Sequence, residues 1–408
     1  MKLRLIIVTV YLDHAATTPM LPAAIAAYAQ ALSVVGNPAS IHSQGQNAKR
    51  MLEEAREKVA ASVGSDPIEV VFTGGGTEAV NLGIKGLYWA RAPRPRILVP
   101  GGEHHATLDT VEWLGDHDNA IVEWLPVDEL GRVDLNALRT SIEVDPASVA
   151  LVTLLAANNE VGTIQPVKEV AAIAARHGIP VHVDAVSAYG HVPIDFALLR
   201  KAGVSALSVS AHKIGGPVGI GALVLSRTAN VVPLIHGGGQ QRQVRSGTQD
   251  VAAAVAFAVA ATDAVQNLPD ENERLRSLRD QLVAGVSRLV PGAVLNGDSS
   301  PDGRLPGNAH FSFPGCEGDS LLFLLDAAGV CVSTGSACQA GIPEPSHVLV
   351  AMGRSAGESR GALRITLGRT SSSEDVGALL EALPGAYAQA SRAGLADRAP
   401  RGASATLA

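Results

Sequence analysis

The 408-residue sequence contains only three cysteines, Cys316, Cys331 and Cys338. Three cysteines cannot all pair with one another, and none of them stands in a C-x-x-C motif. A disulfide framework is therefore not expected, and the spacing argues against a structural zinc site. The scarcity of cysteine favours a reducing compartment.

Positive charge and long apolar runs are also scarce. The net charge of −7 gives the chain no electrostatic footprint for nucleic acid or for an anionic membrane. Residues 1–10 hold an apolar run of only about six residues, whereas a membrane span needs about 20 and a secretory signal needs a longer run with a cleavage site. We predict an opening strand there and a cytoplasmic protein with no nucleic-acid or membrane partner.

Two nucleotide-binding fingerprints are missing from a segment where they would be expected. A strand predicted over Ile68–Phe72 leads into the glycine-rich segment Gly74–Glu78, and a helix is predicted to follow. Open backbone amides, the Thr77 hydroxyl and the positive end of a helix together suit an anion. The segment has neither the lysine of a Walker A loop nor the G-x-G-x-x-G pattern. It is one candidate for a phosphate site, and a nucleotide-binding Rossmann protein, an alternative from another class, is not supported.

The composition that remains is typical of a globular α/β enzyme, with 47% hydrophobic residues, 17% charged residues and 42 glycines. Apolar strand segments alternate with helical segments up to about residue 225. This alternation predicts a mostly parallel sheet flanked by helices, with ligands at the carboxyl ends of its strands. We predict a large domain over 14–255, a smaller α+β domain from 1–13 and 256–390, and a disordered tail over 391–408.

The segment Val204–Gly216 is the most informative single stretch. Small and β-branched residues predict a strand that ends at His212 and Lys213, and two glycines follow. A desolvated lysine at such a turn is the usual nucleophile for an aldehyde such as pyridoxal 5′-phosphate (PLP). A surface lysine that merely follows a strand is the alternative on this segment alone.

Eight motifs in one order decide between these interpretations, because together they resemble the cysteine desulfurases within the class V aminotransferase family of fold-type I PLP enzymes. The match covers residues 11 to about 384. The motifs are Tyr11–Pro19, Phe72–Glu78, Glu103–Asp109, Asn158–Gly162, Ser210–Lys213, His236–Thr248, Ser333–Cys338 and Leu363–Gly368.

The resemblance implies PLP as the cofactor and gives three residues a role on its ring. Lys213 would hold PLP as a Schiff base. Asp184 would face the pyridinium nitrogen, since a carboxylate there keeps the ring protonated and able to accept electrons. His104 would stack on the ring and move protons, because imidazole titrates near neutral pH.

Other residues would hold the outer atoms of the cofactor. The resemblance assigns its phosphate to Gly76, Thr77, Ser210 and His212. Thr248 would reach the same phosphate from the partner subunit, which implies a homodimer. Asn159 and Ser187 would lie beside the phenolic oxygen of the ring.

The substrate implied by the resemblance is L-cysteine. Arg364 would clamp its carboxylate with a planar fork of donors, assisted by Asn37. The thiolate of Cys338 would take the sulfur, leaving alanine and a persulfide. Cys338 lies in a loop of small residues, and about six such residues span roughly 20 Å when extended.

The length of that loop resembles the branch whose members supply iron–sulfur cluster assembly and tRNA thiolation. The implied partner is therefore a sulfur-acceptor protein, either an iron–sulfur scaffold or a tRNA-thiolating enzyme. No metal site is predicted, and the resemblance leaves open only ligation of a cluster by a loaded Cys338. The alternatives are a related PLP enzyme, such as a selenocysteine lyase or a pathway-specific sulfur donor, and a catalytically dead homologue. The last predicts loss of Lys213, Asp184 or Cys338, and all three are present.

One position departs from the family pattern. Where the family usually has glutamine in Asp-Ala-x-Gln, this chain has Ser187 after Asp184. We predict that Ser187→Gln raises desulfurase turnover severalfold, because serine is too short to donate directly to the phenolic oxygen and one such bond is worth about 1–3 kcal/mol. Steady-state release of alanine and sulfide measures the effect, and an unchanged or lower turnover would refute the prediction.

Overall fold

A computed structural model describes residues 9–335 and 345–396, with side chains described to residue 392. Cys338, the predicted sulfur acceptor, lies outside the described residues. The strands are β1 (Val10–Tyr11), β2 (Val70–Thr73), β3 (Arg96–Pro100), β4 (Ile121–Leu125), β5 (Val149–Leu155), β6 (Val181–Asp184), β7 (Val204–Ser210), β8 (Gly221–Leu225), β9 (Val294–Leu295), β10 (Asn308–Ser312), β11 (Val330–Cys331) and β12 (Ala362–Thr366). The helices are α1 (Pro22–Leu32), α2 (Ser43–Ser62), α3 (Gly76–Ala90), α4 (His105–Asp118), α5 (Leu135–Val144), α6 (Val167–Ala175), α7 (Phe196–Ala202), α8 (Val251–Gln266), α9 (Leu268–Leu289), α10 (Gly318–Ala327), α11 (His347–Ala351), α12 (Ala356–Arg360) and α13 (Ser373–Ala396).

The main sheet has seven strands in the order β2-β8-β7-β6-β5-β3-β4. All its neighbouring pairs are parallel except the two that involve β8. Strand β5 is apolar except for Thr153, and all of its residues are buried, as expected for a parallel strand covered on both faces. The predicted fold class, a mostly parallel sheet flanked by helices with a smaller α+β part, is confirmed.

Two large cores accompany this architecture. The first packs residues of the main sheet against α1, α2, α6 and α8. The second joins Leu12 to α9, β10, α10, β12 and α13. A three-stranded antiparallel sheet in the order β12-β10-β9 forms the floor of the second core.

The change from the first core to the second falls between α8 and α9. Residues of α8 as far as Ala261 pack in the first core, and Leu275 of α9 packs in the second. The predicted boundary at 255 falls within α8, whereas the change of core lies between α8 and α9. The reason is that the alanine-rich face of α8 fits closely against α1 and α2, so the whole helix stays with the first core.

The C-terminal helix is longer than expected. The sequence predicts a tail that is disordered from 391, but α13 continues to Ala396. Alanine is the best helix former, and the last turns of α13 are rich in it, which explains the extension. Residues 397–408 of the predicted tail lie outside the described residues.

In the described ranges, no single helix has the length and apolar composition needed to cross a membrane; only α8 and α9 taken together, bent by 71° at their junction, meet that test.

Candidate active site

A cavity of about 330 Å³, here called the front cavity, lies at the carboxyl ends of three neighbouring parallel strands. Leu155 ends β5, Asp184 ends β6, and the two residues are register partners. Strand β7 runs beside β6 and leads to Lys213. Sequence-predicted residues that line the front cavity are Gly76, Thr77, His104, Asn159, Asp184, Ser187, His212, Lys213 and Arg364. The parallel strands thus bring together residues that are far apart in the chain.

Lys213 lies on the turn after β7, and its ammonium group is held against the N-terminal segment. Nζ donates a hydrogen bond to the backbone carbonyl of Ala15, and a second one, at 3.0 Å, to the carbonyl of Ala16. Gly215, with a φ of 82°, completes the turn in a conformation that favours glycine. The lysine is therefore fixed at the wall of the front cavity.

Asp184 is a deeply buried acid that faces the front cavity, with a relative exposure of 2%. Its Oδ1 accepts a 2.9 Å hydrogen bond from the backbone N–H of Val186. Burial raises the pKa of Asp184 to about 6, although this hydrogen bond and the nearby charge of Lys213 act in the opposite direction. A buried carboxylate of this kind is stabilised by a cationic partner in the cavity.

His104 caps the N-terminus of α4. Its Nδ1 accepts a 3.0 Å hydrogen bond from the backbone N–H of Ala106, so the neutral ring carries its proton on Nε2. Burial, and then repulsion from Lys213, lower the pKa of His104 to about 4. The ring is therefore neutral near pH 7 and is held in one orientation. His105, its neighbour, is placed on the first turn of α4, close to the ring of His347.

Of the four residues predicted to hold a phosphate, Gly76, Thr77 and His212 line the front cavity, and Ser210 lies against Gly76 at the N-terminus of α3. The first amides of a helix have no acceptor within the helix, and Gly76 and Thr77 begin α3 at this cavity. A Cβ on Gly76 would lie 2.8 Å from Val186, so only glycine fits there. Ser210 lies beneath Gly76 and does not line the cavity; its buried Oγ has no hydrogen-bond partner among the described residues.

His212 also lines the front cavity. Its Nδ1 lies 3.2 Å from Oγ1 of Thr17, and burial and repulsion from Lys213 lower its pKa to about 4. A neutral imidazole can donate one hydrogen bond to an anion.

Arg364 reaches the front cavity from β12, in the second core. Its Nη2 forms a 3.0 Å ion pair with Oδ1 of Asp13, and its Nη1 donates a 3.1 Å hydrogen bond to the carbonyl oxygen of Asn159. Its Nε, which is buried, has no partner among the described residues, and neither has the buried Oδ1 of Asn159. The guanidinium is therefore oriented but only partly satisfied.

Besides Ser210, three predicted site residues are not brought into the front cavity by the described chain. Asn37 is exposed, and its Oδ1 accepts a 2.9 Å hydrogen bond from the backbone of Ala39. Thr248 is also exposed and does not line the cavity. Cys338 lies outside the described residues. Their roles stay predictions.

Several cavity residues were not assigned a role from the sequence. Asp13 orients Arg364 from 351 positions away in the chain. Glu160 is buried and accepts a 2.6 Å hydrogen bond from Ser346 Oγ, which fixes one side of the segment that contains Cys338. His347 Nε2 is 2.8 Å from the carbonyl oxygen of Glu103. Asp13 and Glu160 stand inside two of the recognised motifs, and that was the only signal for them.

Comparison with known proteins identifies the family of this chain. The family model "Aminotransferase class-V" matches residues 10–379. An IscS-like cysteine desulfurase of Mycobacterium tuberculosis is 54% identical over 95% of this chain and 98% of that protein. A solved structure titled NifS-like protein is 36% identical and superposes with a TM-score of 0.84, covering 93% of this chain and all of that one. Another, titled SspA in complex with cysteine, is 31% identical with a TM-score of 0.75 over 88% of this chain and 99% of that one.

The match over residues 10–379 and the fold are those of the class V aminotransferases, a family of PLP enzymes. Within that class, the extent and level of identity leave no ambiguity about the subgroup. This chain belongs to the cysteine desulfurase family.

The raised pKa of Asp184 predicts an effect on stability. The folded pKa, about 6, lies above the unfolded value near 4, so the folded state binds more protons between these values and loses stability as the pH rises from about 4 to 6. We therefore expect Asp184→Asn to stabilise the cofactor-free protein at pH 7.5, by up to about 3 kcal/mol, and to have little effect near pH 4. The amide keeps an acceptor for Val186 N–H.

Urea unfolding at the two pH values measures this difference. Asp116→Asn, an exposed position on α4, is the matched control and is expected to change nothing. A less stable Asp184→Asn protein at pH 7.5 would contradict the electrostatic assignment.

Proposed function

We propose that this protein is a PLP-dependent L-cysteine desulfurase that converts L-cysteine to L-alanine and passes the sulfur through Cys338 to an acceptor protein. The observation that carries the proposal is the placement of Lys213, Asp184 and Arg364 around one cavity. A nucleophilic amine, a buried carboxylate and a guanidinium there suit an aldehyde cofactor and an amino-acid substrate. The membership of the chain in the cysteine desulfurase family supports the same reaction.

The residues present fit PLP. Ser210 Oγ, which has no partner in the described chain, and the open amides of Gly76 and Thr77 lie together where a phosphate needs donors. Asp184, whose pKa is raised by burial, suits the pyridinium nitrogen. We assign PLP to these residues together with His212 and Asn159. Thr248, exposed and outside this cavity, is assigned to the phosphate of the partner subunit in a homodimer.

Each residue has a definable task. Bound PLP supplies an electron sink for the bond that breaks at the substrate Cα. Asp184 keeps the ring nitrogen protonated by pairing with it at the end of β6. Lys213 holds the cofactor covalently and accepts or returns a proton at Nζ.

His104 and Arg364 control orientation. The backbone of Ala106 fixes the imidazole of His104 through Nδ1, which leaves Nε2–H as a donor toward the cavity. Arg364 binds the substrate carboxylate with the donor capacity that Asp13 and Asn159 leave unused, and its position on β12 fixes where the substrate Cα lies.

Sulfur transfer requires a nucleophile other than the side chains that bind the cofactor and the substrate. The thiolate of Cys338 attacks the substrate sulfur, and an S–S bond forms as the C–S bond breaks. The electron pair of the broken bond stays with the substrate carbon, which takes up a proton to give alanine. Gly335, the last described residue before Cys338, and His347, on the first turn of α11 after it, both line the front cavity, which supports this assignment.

The proposal predicts a visible absorption band that depends on Lys213. Purified protein supplied with PLP is expected to absorb near the yellow edge of the visible spectrum, and L-cysteine is expected to shift the band while alanine and sulfide are released in step. Lys213→Ala removes the covalent link and is expected to lose both band and activity. Lys201→Ala, at an exposed position on α7, is the control and is expected to behave as the wild type.

The outcomes separate the cofactor from the reaction. A band without alanine would retain PLP and refute the desulfurase. No band after addition of PLP would refute the assignment of Lys213.

The role proposed for Cys338 predicts that cofactor binding and sulfide release can be separated by one substitution. Cys338→Ser is expected to keep the visible band and its shift with L-cysteine, but to lower sulfide release by about 10²-fold or more, the usual effect of losing a group that takes part in the chemical step. Cys331→Ser is the control, because Cys331 lies on β11 beside Asp326 and its pKa is raised by burial and by that carboxylate. Full sulfide release by Cys338→Ser would exclude Cys338 as the acceptor.

A further inference from the structure

Lys213 lines three cavities, of which the proposed mechanism uses only the front one. A small cavity of about 40 Å³ shares Ala15, Asn159, Ser187 and Lys213 with the front cavity. A third cavity of about 450 Å³, here called the rear cavity, shares His14, His191 and Lys213 with the small cavity. The small cavity therefore lies between the other two, behind the lysine.

The small cavity has the size of a water site, and two of its lining residues have unsatisfied acceptors. A cavity needs about 10–15 Å³ to hold one water molecule, so 40 Å³ admits more than one. Most of its wall surface is apolar, but polar side chains from both cores also line it, and the buried Oδ1 atoms of Asn159 and Asn308 have no hydrogen-bond partner among the described residues. The polar lining residues are His14, Asn159, Ser187, His191, Lys213, Asn308 and Thr366.

His191 stands at the junction of the small and rear cavities and has no role in the proposed mechanism. Its backbone is held by hydrogen bonds to the carbonyl of Ala188, at 3.0 Å, and from Nδ2 of Asn272, at 2.9 Å. No side chain or backbone group of the described residues is hydrogen-bonded to its ring. Burial, together with repulsion from Lys213, lowers the pKa of His191, so the ring is neutral near pH 7 and able to accept a proton.

His14 lines the same two cavities but is already engaged. Its Nδ1 lies 2.7 Å from Oγ1 of Thr18, and its Nε2 lies 3.4 Å from Oγ of Ser371. Burial, and then repulsion from His191, lower its pKa to about 4. Of the two histidines, His191 is the one with ring nitrogens available to water.

The rear cavity, which Lys213 also lines, surrounds His191 with charged side chains. Glu271, on α9, acts in the direction of a higher pKa for His191, and it is paired with Arg274 at 2.7 Å. The charged side chains that line this cavity from α8, α9 and the segment after β12 are Asp263, Asp270, Glu271, Arg274 and Arg369. Such a lining holds water, and a proton that reaches His191 can pass to it.

We propose that His191 is a proton-relay residue, which connects Lys213 through water in the small cavity to water in the rear cavity. The inference rests on the proposed function, since it concerns the protonation of Lys213 in the loaded enzyme. A proton leaves Nζ of Lys213 for a water molecule, that water protonates a ring nitrogen of His191, and His191 releases the proton to the rear cavity; the return follows the same route. The relay transfers protons only, and no group is oxidised or reduced. The route stays open when substrate fills the front cavity.

The test measures how fast the visible band of the PLP-loaded protein responds to a pH jump while propionate fills the front cavity. Propionate offers a carboxylate to Arg364 but has no amine that could displace Lys213. His191→Ala and His191→Gln are expected to respond about 10²-fold more slowly than the wild type, which is the lower range for loss of a positioned proton-transfer group. His177→Ala, an exposed histidine after α6, is the matched control and is expected to respond at the wild-type rate.

Addition of imidazole distinguishes a relay from a structural role. The rear cavity is large enough to admit it, so imidazole is expected to restore the response of His191→Ala, which leaves a space, and not that of His191→Gln. Equal rates for the wild type and both variants would overturn the relay. A slow His191→Ala protein that imidazole does not restore would overturn it as well. A wild-type chain that forms no band with PLP would refute the proposed function, and the relay with it.

Discussion

Burial of the Asp184 carboxylate is the constraint on which the site depends. A carboxylate with 2% exposure needs a positive partner, and its pKa of about 6 reflects the energy that such a partner would recover. The parallel pairing of β6 and β7 places Lys213 near it, and this charge already acts to lower the pKa of Asp184. The same lysine lowers the pKa of His104, so the three groups form one electrostatic unit.

The second core completes this unit because it carries Arg364. Strand β12 pairs with β10 in a sheet that does not belong to the main one, and Asp13 and Asn159 hold the guanidinium at the front cavity. The segment that contains Cys338 begins after Gly335 and is fixed at its other side by the hydrogen bond between Ser346 and Glu160. The binding groups therefore come from both cores: Lys213 and Asp184 from the first and Arg364 from the second. Cys338, the proposed nucleophile, belongs to neither group and lies in the sequence between Gly335 and Ser346.

Much of the site could be predicted from the sequence because local order and strand ends carry the information. The alternation of strands and helices predicted the sheet, and parallel strands place Leu155, Asp184 and the turn of Lys213 at one edge. Other features could not be predicted. The extent of α8 depends on its fit against α1 and α2, and the ion pair of Asp13 with Arg364 joins residues 351 positions apart. Neither depends on a local pattern.

The sequence by itself determined the fold class, the family resemblance and the candidate residues, since these follow from hydrophobic periodicity and from the order of eight motifs. Only the tertiary structure decided which candidates meet: it placed Lys213, Asp184, His104 and Arg364 on one cavity and left Asn37 and Thr248 on the surface. It also decided the protonation of His104 and His191, since their pKa values depend on burial and on the distance to Lys213. Burial and the distances between charges are properties of packing, and a linear sequence does not contain them.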